Sequence, residues 1–532
     1  MVLRSPQSAK AGQSRPGADF ASAALRSGNA AGARQYLQDR LLKNPRDADA
    51  LTKLAEVAVA ERNMDEAALL LRRAVAADPS RQRRMALILH LKRYASPAVA
   101  LQAIEELPSA LRAGFDVRAI EAALLGVLGL HERQIRLYQE MVRERSGKSA
   151  LWMSLGNALK TVGRTDEAVA ALRRGVAAEP TFGEAYWTLA NFKSFAFSDR
   201  DLAQMRQALR RKLSDQDALH IHFALGKAYE DRGDYEQSFR HYAEGNALRA
   251  ATFRPGQTSV TELVDQSIAT FTPEFFERNA GAGSPEAGPI FVVGLNRSGS
   301  TLVEQILASH PLIEGTTELA VMNHMRDRLA DAAGTNAVDA IAGLDRAQFA
   351  AIGAEYLERT RAFRHTDRPF FVDKMPANWT NLPLIRIALP KAKIIDARRH
   401  PMACGFSNFK QNYAHGIGFS YRLETIGAFY RDYWRFMRHF DEVQPGAVHR
   451  IINERLIDDP EEEVKRLLEF VGVPFDPACL DFHKTDRAVR TPSAEQVRRP
   501  INREGVDYWR HYESWLGELH DALGDALDGW ER

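Results

Sequence analysis

From Gly294 the chain reads Gly-Leu-Asn-Arg-Ser-Gly-Ser-Thr, a GxxxxG[ST][ST] pattern that directly follows the apolar run Ile290 to Leu295. A strand, a Gly/Ser-rich turn and a helix in succession would aim the amides of Arg297, Ser298, Gly299, Ser300 and Thr301 into one concavity at a helix N-terminus. An anion of the phosphate type held there gains several hydrogen bonds and the favourable end of the helix dipole. The bland alternative is a glycine turn that only joins a strand to a helix. A nucleotide-triphosphate loop would carry lysine where this chain has Ser300. Triphosphate chemistry needs that lysine and Mg²⁺ to offset about four negative charges. A transferred sulfuryl group carries one negative charge less, so an arginine in the loop suffices without a metal.

Three further places carry chemistry. Glu318 follows the loop helix in HPLIEGTTELA, 21 residues beyond Arg297. A carboxylate there could remove the proton of an attacking hydroxyl, or be a solvated loop acid. Glu304 and Glu314 are its nearest rivals. Glu304 is expected on the exposed part of an amphipathic helix, and His310 and His324 stay open as histidine bases. Lys374 ends the apolar run FFVDK, at the sheet edge where ligands gather in open α/β folds; it reads equally as a surface lysine. Arg399 closes KIIDARR and Ser407 lies eight residues on, in the stretch expected to be the next helix. Charge-assisted hydrogen bonds at that helix start would hold a second anion, unless the arginines form an ordinary surface pair.

The segment PIFVVGLNRSGSTLVEQILASHP resembles the 5′-phosphosulfate loop of sulfotransferases, and most closely that of tyrosylprotein sulfotransferases. The resemblance covers roughly residues 289–512. It implies 3′-phosphoadenosine 5′-phosphosulfate (PAPS) as sulfuryl donor, bound by Arg297, Ser298, Gly299, Ser300 and Thr301, with Arg297 also catalytic. Glu318 shares its spacing from the loop arginine with that family's glutamate base. Lys374 matches the lysine that stabilises charge on the bridging oxygen, and Arg399 with Ser407 matches the 3′-phosphate pair. TPSAEQVRRPINREGVDYW resembles the closing segment, which assigns Ser493 and Arg499 to the nucleotide. Two positions depart: Leu319 follows Glu318 where the family continues differently, and Asn453 stands for a nucleotide-binding tyrosine.

These residues need elements to carry them. Short apolar runs, Ile290 to Leu295, Phe370 to Lys374 and Lys393 to Arg398, alternate with helical stretches and predict a parallel sheet covered on both faces. The first half repeats instead. Trp152, Leu155, Gly156, Leu159, Gly163, Ala168, Leu172 and Pro180 match, nearly offset for offset, a copy beginning at Ala48. A later copy runs through His222, Leu225, Gly226, Tyr229, Gly233, Ser238 and Tyr242. Such units bury their apolar faces only by stacking, and the pattern resembles tetratricopeptide repeats. Residues 80–147 read as diverged repeats. The expected architecture is multidomain: an N-terminal all-α helical repeat solenoid, then an α/β P-loop-like sulfotransferase domain with a central parallel sheet. Its parts are a disordered tail (1–13), the solenoid (14–250), a linker (251–288) and the sulfotransferase domain (289–532).

Composition sets the outer bounds. The chain has 532 residues, 45% hydrophobic and 26% charged, with a formal net charge of +2, which gives no expectation of nucleic-acid binding. Two cysteines make neither a disulfide framework nor a metal site. Neither a membrane span nor a secretory signal is expected, so the cytoplasm is the default compartment. The acceptor is expected to be a hydroxyl of a peptide (a tyrosine by the resemblance), a sugar or a small molecule. Peptide or protein partners are expected on the repeats. The alternatives are a repeat scaffold with an inactive second domain, and a P-loop kinase, which Ser300 disfavours.

Overall fold

A computed structural model describes residues 16–26, 29–61, 63–94, 97–192, 195–253, 259–316, 318–413, 417–485 and 496–531. The expected tail therefore lies outside the described residues, and so does Ser493. The chain divides into two compact units, residues 1–185 and 186–532.

In the first unit the repeat grammar becomes helix hairpins, Ala48–Ala60 with Met64–Ala77 and Ser149–Thr161 with Thr165–Ala178. The diverged stretch is also helical, including Arg81–Tyr94, Phe115–Val127 and His131–Glu144. In the hairpin that starts at Ser149 the small residues act as the pattern requires. A Cβ on Gly156 would come within 2.8 Å of Leu172 on the facing helix, and Gly163 turns the chain at φ +78°.

The second unit contains a hairpin of the same build, α1 (Asp215–Glu230) and α2 (Tyr235–Ala250). Gly226 and Gly233 repeat the two roles 70 residues on. A Cβ on Gly226 would meet Tyr242 at 2.7 Å, and Gly233 has φ +73°. The described residues of 251–288, a segment expected as a linker, include the helices Thr261–Thr270 and Pro273–Arg278. Val264, Phe271, Phe275 and Phe276 there are buried in the core of the second unit, so apolar burial fixes the segment.

That core lies on two sides of one sheet. The strands are β1 (Pro289–Gly294), β2 (Ile313–Gly315), β3 (Phe370–Lys374), β4 (Lys393–Arg398) and β5 (Val448–Ile452). They run parallel in the order β2-β3-β1-β4-β5. Period-two alternation divides β1: Phe291 and Val293 join the larger cluster, while Ile290 and Val292 face the smaller one. Helix α3 (Ser300–Ala308) follows β1 and covers the smaller cluster with Val303, Ile306 and Leu307. Helix α4 (Pro401–Phe409) follows β4, and the long helix α5 (Leu423–Val443) packs Ile426, Tyr430 and Tyr433 into the larger cluster.

Candidate active site

Four of the candidate residues leave the carboxyl ends of strands. Lys374 is the last residue of β3, Arg297 follows β1 by three residues, and Arg399 and Asn453 come immediately after β4 and β5. Because β1 pairs with β3 on one side and β4 on the other, these chain ends diverge at a switch point and open a crevice.

The loop itself is tightly specified. Arg297 is the one non-glycine residue with positive φ (+69°) among the described residues, and Gly299 caps α3 at φ +99°. A left-handed arginine costs about 1–2 kcal/mol, and such strain gathers at functional loops. A Cβ on Gly299 would lie 2.7 Å from Oδ1 of Asn453, so the residue standing for the family tyrosine packs against the loop. Beyond the loop, α3 leaves its first N–H groups without intrahelical acceptors.

Arg297 Nε donates to Ser407 Oγ at 3.1 Å, joining the loop after β1 to the helix after β4. Arg399 donates to the carbonyl of Arg297 at 3.4 Å and to that of Gly505. Burial pulls its guanidinium below the ordinary value. The neighbouring Arg398 is occupied elsewhere: it pairs with buried Asp396 at 2.7 Å and donates to the Trp530 carbonyl. The two arginines of the motif are thus divided between a structural ion pair and the crevice. A cavity of about 620 Å³ opens here, lined by the loop residues 297 and 299–301 together with Arg399, Ser407, Asn453 and Arg499. Arg499 is exposed on its rim.

The carboxylates are arranged differently from the pattern reading. Glu318 keeps 47% of its side chain exposed and accepts from Lys374 Nζ at 2.5 Å. Lys374 itself is 1% exposed. Glu304, expected on a solvated helix face, is instead buried at 2% exposure, and its Oε2 lies 3.9 Å from the same ammonium. The helical period could not show this, because α3 is covered on nearly every side by sheet and C-terminal segments. Asp373 lies beneath, fully buried, and accepts from the Tyr356 hydroxyl at 2.8 Å. Burial pushes its pKa up to about 7.

Two of the rival bases, His310 and Glu314, are engaged in hydrogen bonds. Both ring nitrogens of His310 are bonded, Nε2 to the Pro474 carbonyl at 2.9 Å and Nδ1 from the Leu312 amide at 3.1 Å. Glu314 accepts from the amides of His365 and Thr366. His324 is exposed on its helix.

Residues 289–477, which contain the loop, Glu318, Lys374, Arg399 and Ser407, match the sulfotransferase family. The second unit carries a sulfotransferase-family domain. Tetratricopeptide repeats match at residues 19–81 and 149–192. An "Uncharacterized protein" of Aquifex aeolicus is 34% identical over 314 residues, 57% of this chain. This chain spans 41% of that protein's length. A "Putative protein-tyrosine sulfotransferase" of Caenorhabditis briggsae is 25% identical over 228 residues, 41% of this chain and 80% of that protein. Among solved structures, the sulfotransferase domain of the Synechococcus PCC 7002 olefin synthase is 23% identical, with a TM-score of 0.33 over 44% of this chain and 90% of that one. The sulfotransferase domain from the curacin biosynthetic pathway is 17% identical, with the same TM-score, over 47% and 99%. No helix among the described residues is long and apolar enough to cross a membrane.

Proposed function

We propose that this chain transfers a sulfuryl group from PAPS to a hydroxyl acceptor. The observation that carries the reading is the Arg297–Ser407 hydrogen bond, which brings two anion-binding loops to one cavity at the switch point. The fit to a bisphosphorylated nucleotide rests on atoms left wanting. Ser298 Oγ and Arg399 Nε are buried without hydrogen-bond partners among the described residues, a cost that a bound anion would remove. The volume lies within the range of small-ligand sites.

In this reading Arg297, Ser298, Gly299, Ser300 and Thr301 hold the 5′ end of the donor, Arg399 and Ser407 hold its 3′-phosphate, and Arg499 contacts the nucleotide, as does Ser493 by the resemblance alone. The donor, when bound, supplies an activated sulfuryl group on a good leaving group. Glu318, open to solvent on one side, takes the acceptor proton. Its bond to Lys374 aims the carboxylate, and Lys374 and Arg297 present positive charge where negative charge develops. No metal takes part.

A peptide tyrosine is the acceptor to test first, supported by the name "Putative protein-tyrosine sulfotransferase" of the Caenorhabditis briggsae relative, with the repeats as a surface for peptide or protein partners. Sugars and small hydroxylated molecules are the competing acceptor classes. Incubation with ³⁵S-labelled PAPS and a panel of tyrosine peptides, sugars and phenols tests the proposal. Label on one class identifies the acceptor; binding of the desulfated nucleotide with no label on any class would favour the inactive scaffold.

A further inference from the structure

The cavity has a wall that the sulfotransferase motifs do not supply. Glu230, the last residue of α1, and Lys410, immediately after α4, both line it. Lys410 Nζ lies 3.1 Å from each carboxylate oxygen of Glu230, whose side chain is only 8% exposed. Two hydroxyls, of Tyr242 and Tyr512, donate to the same Oε2 at 3.2 and 3.4 Å.

Such a carboxylate is poorly placed by itself. It is buried and sits at the C-terminal, negative end of a 16-residue helix. Lys410 offsets that cost. Glu230 in turn opposes the burial that lowers the lysine's pKa, which helps keep the ammonium charged. An ammonium has three donors, and Glu230 accepts two. Lys410 lies one helical turn beyond Ser407, on the same side of α4. The hairpin is tied to this end of α4, because Asn246 on α2 donates to the Phe409 carbonyl at 2.7 Å. Ser238 on α2 bonds Tyr512 at 2.9 Å and so fixes the C-terminal segment beside the cavity.

We propose that Lys410 is a further 3′-phosphate-binding residue of the donor cavity, and that Glu230, from the repeat-like hairpin, is the positioning residue that holds its ammonium there. This inference rests on the donor reading above. The hairpin is then part of the binding machinery as well as a repeat.

Calorimetry on the full chain tests it, with 3′-phosphoadenosine 5′-phosphate compared against adenosine 5′-phosphate, which lacks only the 3′ group. Lys410→Gln should weaken the bisphosphate about tenfold or more, the worth of one charge-assisted hydrogen bond. Adenosine 5′-phosphate affinity reports whether the pocket is intact and should stay within about twofold. Glu230→Gln should weaken the bisphosphate too, and should add nothing in a Lys410→Gln background, since its effect runs through the lysine. Arg399→Gln is the control for the donor reading. If it abolishes the preference for the bisphosphate while Lys410→Gln leaves it intact, the inference is overturned and the donor reading stands. Additive losses from Glu230 and Lys410 would overturn the positioning role. A wild-type chain that binds both nucleotides equally would overturn the inference together with the reading beneath it.

Discussion

Lys374 is held between two carboxylates, 2.5 Å from Glu318 and 3.9 Å from Glu304, with almost none of its own surface exposed. Only Glu318 of the three reaches solvent. The arrangement separates a solvent-facing carboxylate from a buried one beside the same ammonium.

On the proposed mechanism, replacing Glu318 by Gln removes the base and little else. Sulfuryl transfer should fall by about 10²–10⁴, while the affinity for 3′-phosphoadenosine 5′-phosphate stays within about threefold. Initial rates and calorimetry read the two separately; a parallel loss of binding would assign Glu318 to the nucleotide.

Lys374 is expected to matter for stability as well. Lys374→Met would leave Glu304 as a buried charge without this counter-ion, and breaking a buried pair costs about 3–5 kcal/mol. Adding Glu304→Gln to Lys374→Met should recover part of that loss, which chemical denaturation would show. Strictly additive losses would mean the two groups do not interact.

Stability should also depend on Asp373. Its folded pKa is about 7 against an ordinary 3.8, so the folded chain keeps this proton longer than the unfolded chain. Its contribution falls as pH rises from about 4 to about 7 and stays low above that. Asp373→Asn, which can still accept from Tyr356, should gain stability relative to wild type across that window. The gain is on the order of a few kcal/mol and should be absent near pH 4. Thermal melts at a series of pH values check the sign.

Gly299→Ala should disable the loop. The residue sits at φ +99°, and the added methyl would press on Asn453. Nucleotide affinity should fall at least about tenfold with the overall fold retained, as read by calorimetry and circular dichroism; unchanged binding would remove the loop from the site.

Much of this was legible in the sequence because local rules govern it. The runs Ile290 to Leu295, Phe370 to Lys374 and Lys393 to Arg398 appear as β1, β3 and β4, the first displaced by one residue, and the small positions Gly156 and Gly226 meet their partner helices as the repeat requires. What escaped depends on contacts distant in sequence. Glu304 looks solvated on a helical wheel, and only the packing of α3 under the sheet buries it. The pattern also ends the array by residue 250, whereas Glu230, Ser238 and Asn246 reach residues 163 to 282 positions away. No spacing rule connects Glu230 to Lys410, although an acid at a helix C-terminus was a local oddity that could have flagged it.

The central claim is the donor, and binding of its desulfated product tests it most directly. Titrating the full chain with 3′-phosphoadenosine 5′-phosphate and with ATP should give one site of roughly micromolar affinity for the first, lost in Arg297→Ala, and much weaker binding of the second. No measurable binding of the bisphosphate, or a preference for ATP, would contradict the account.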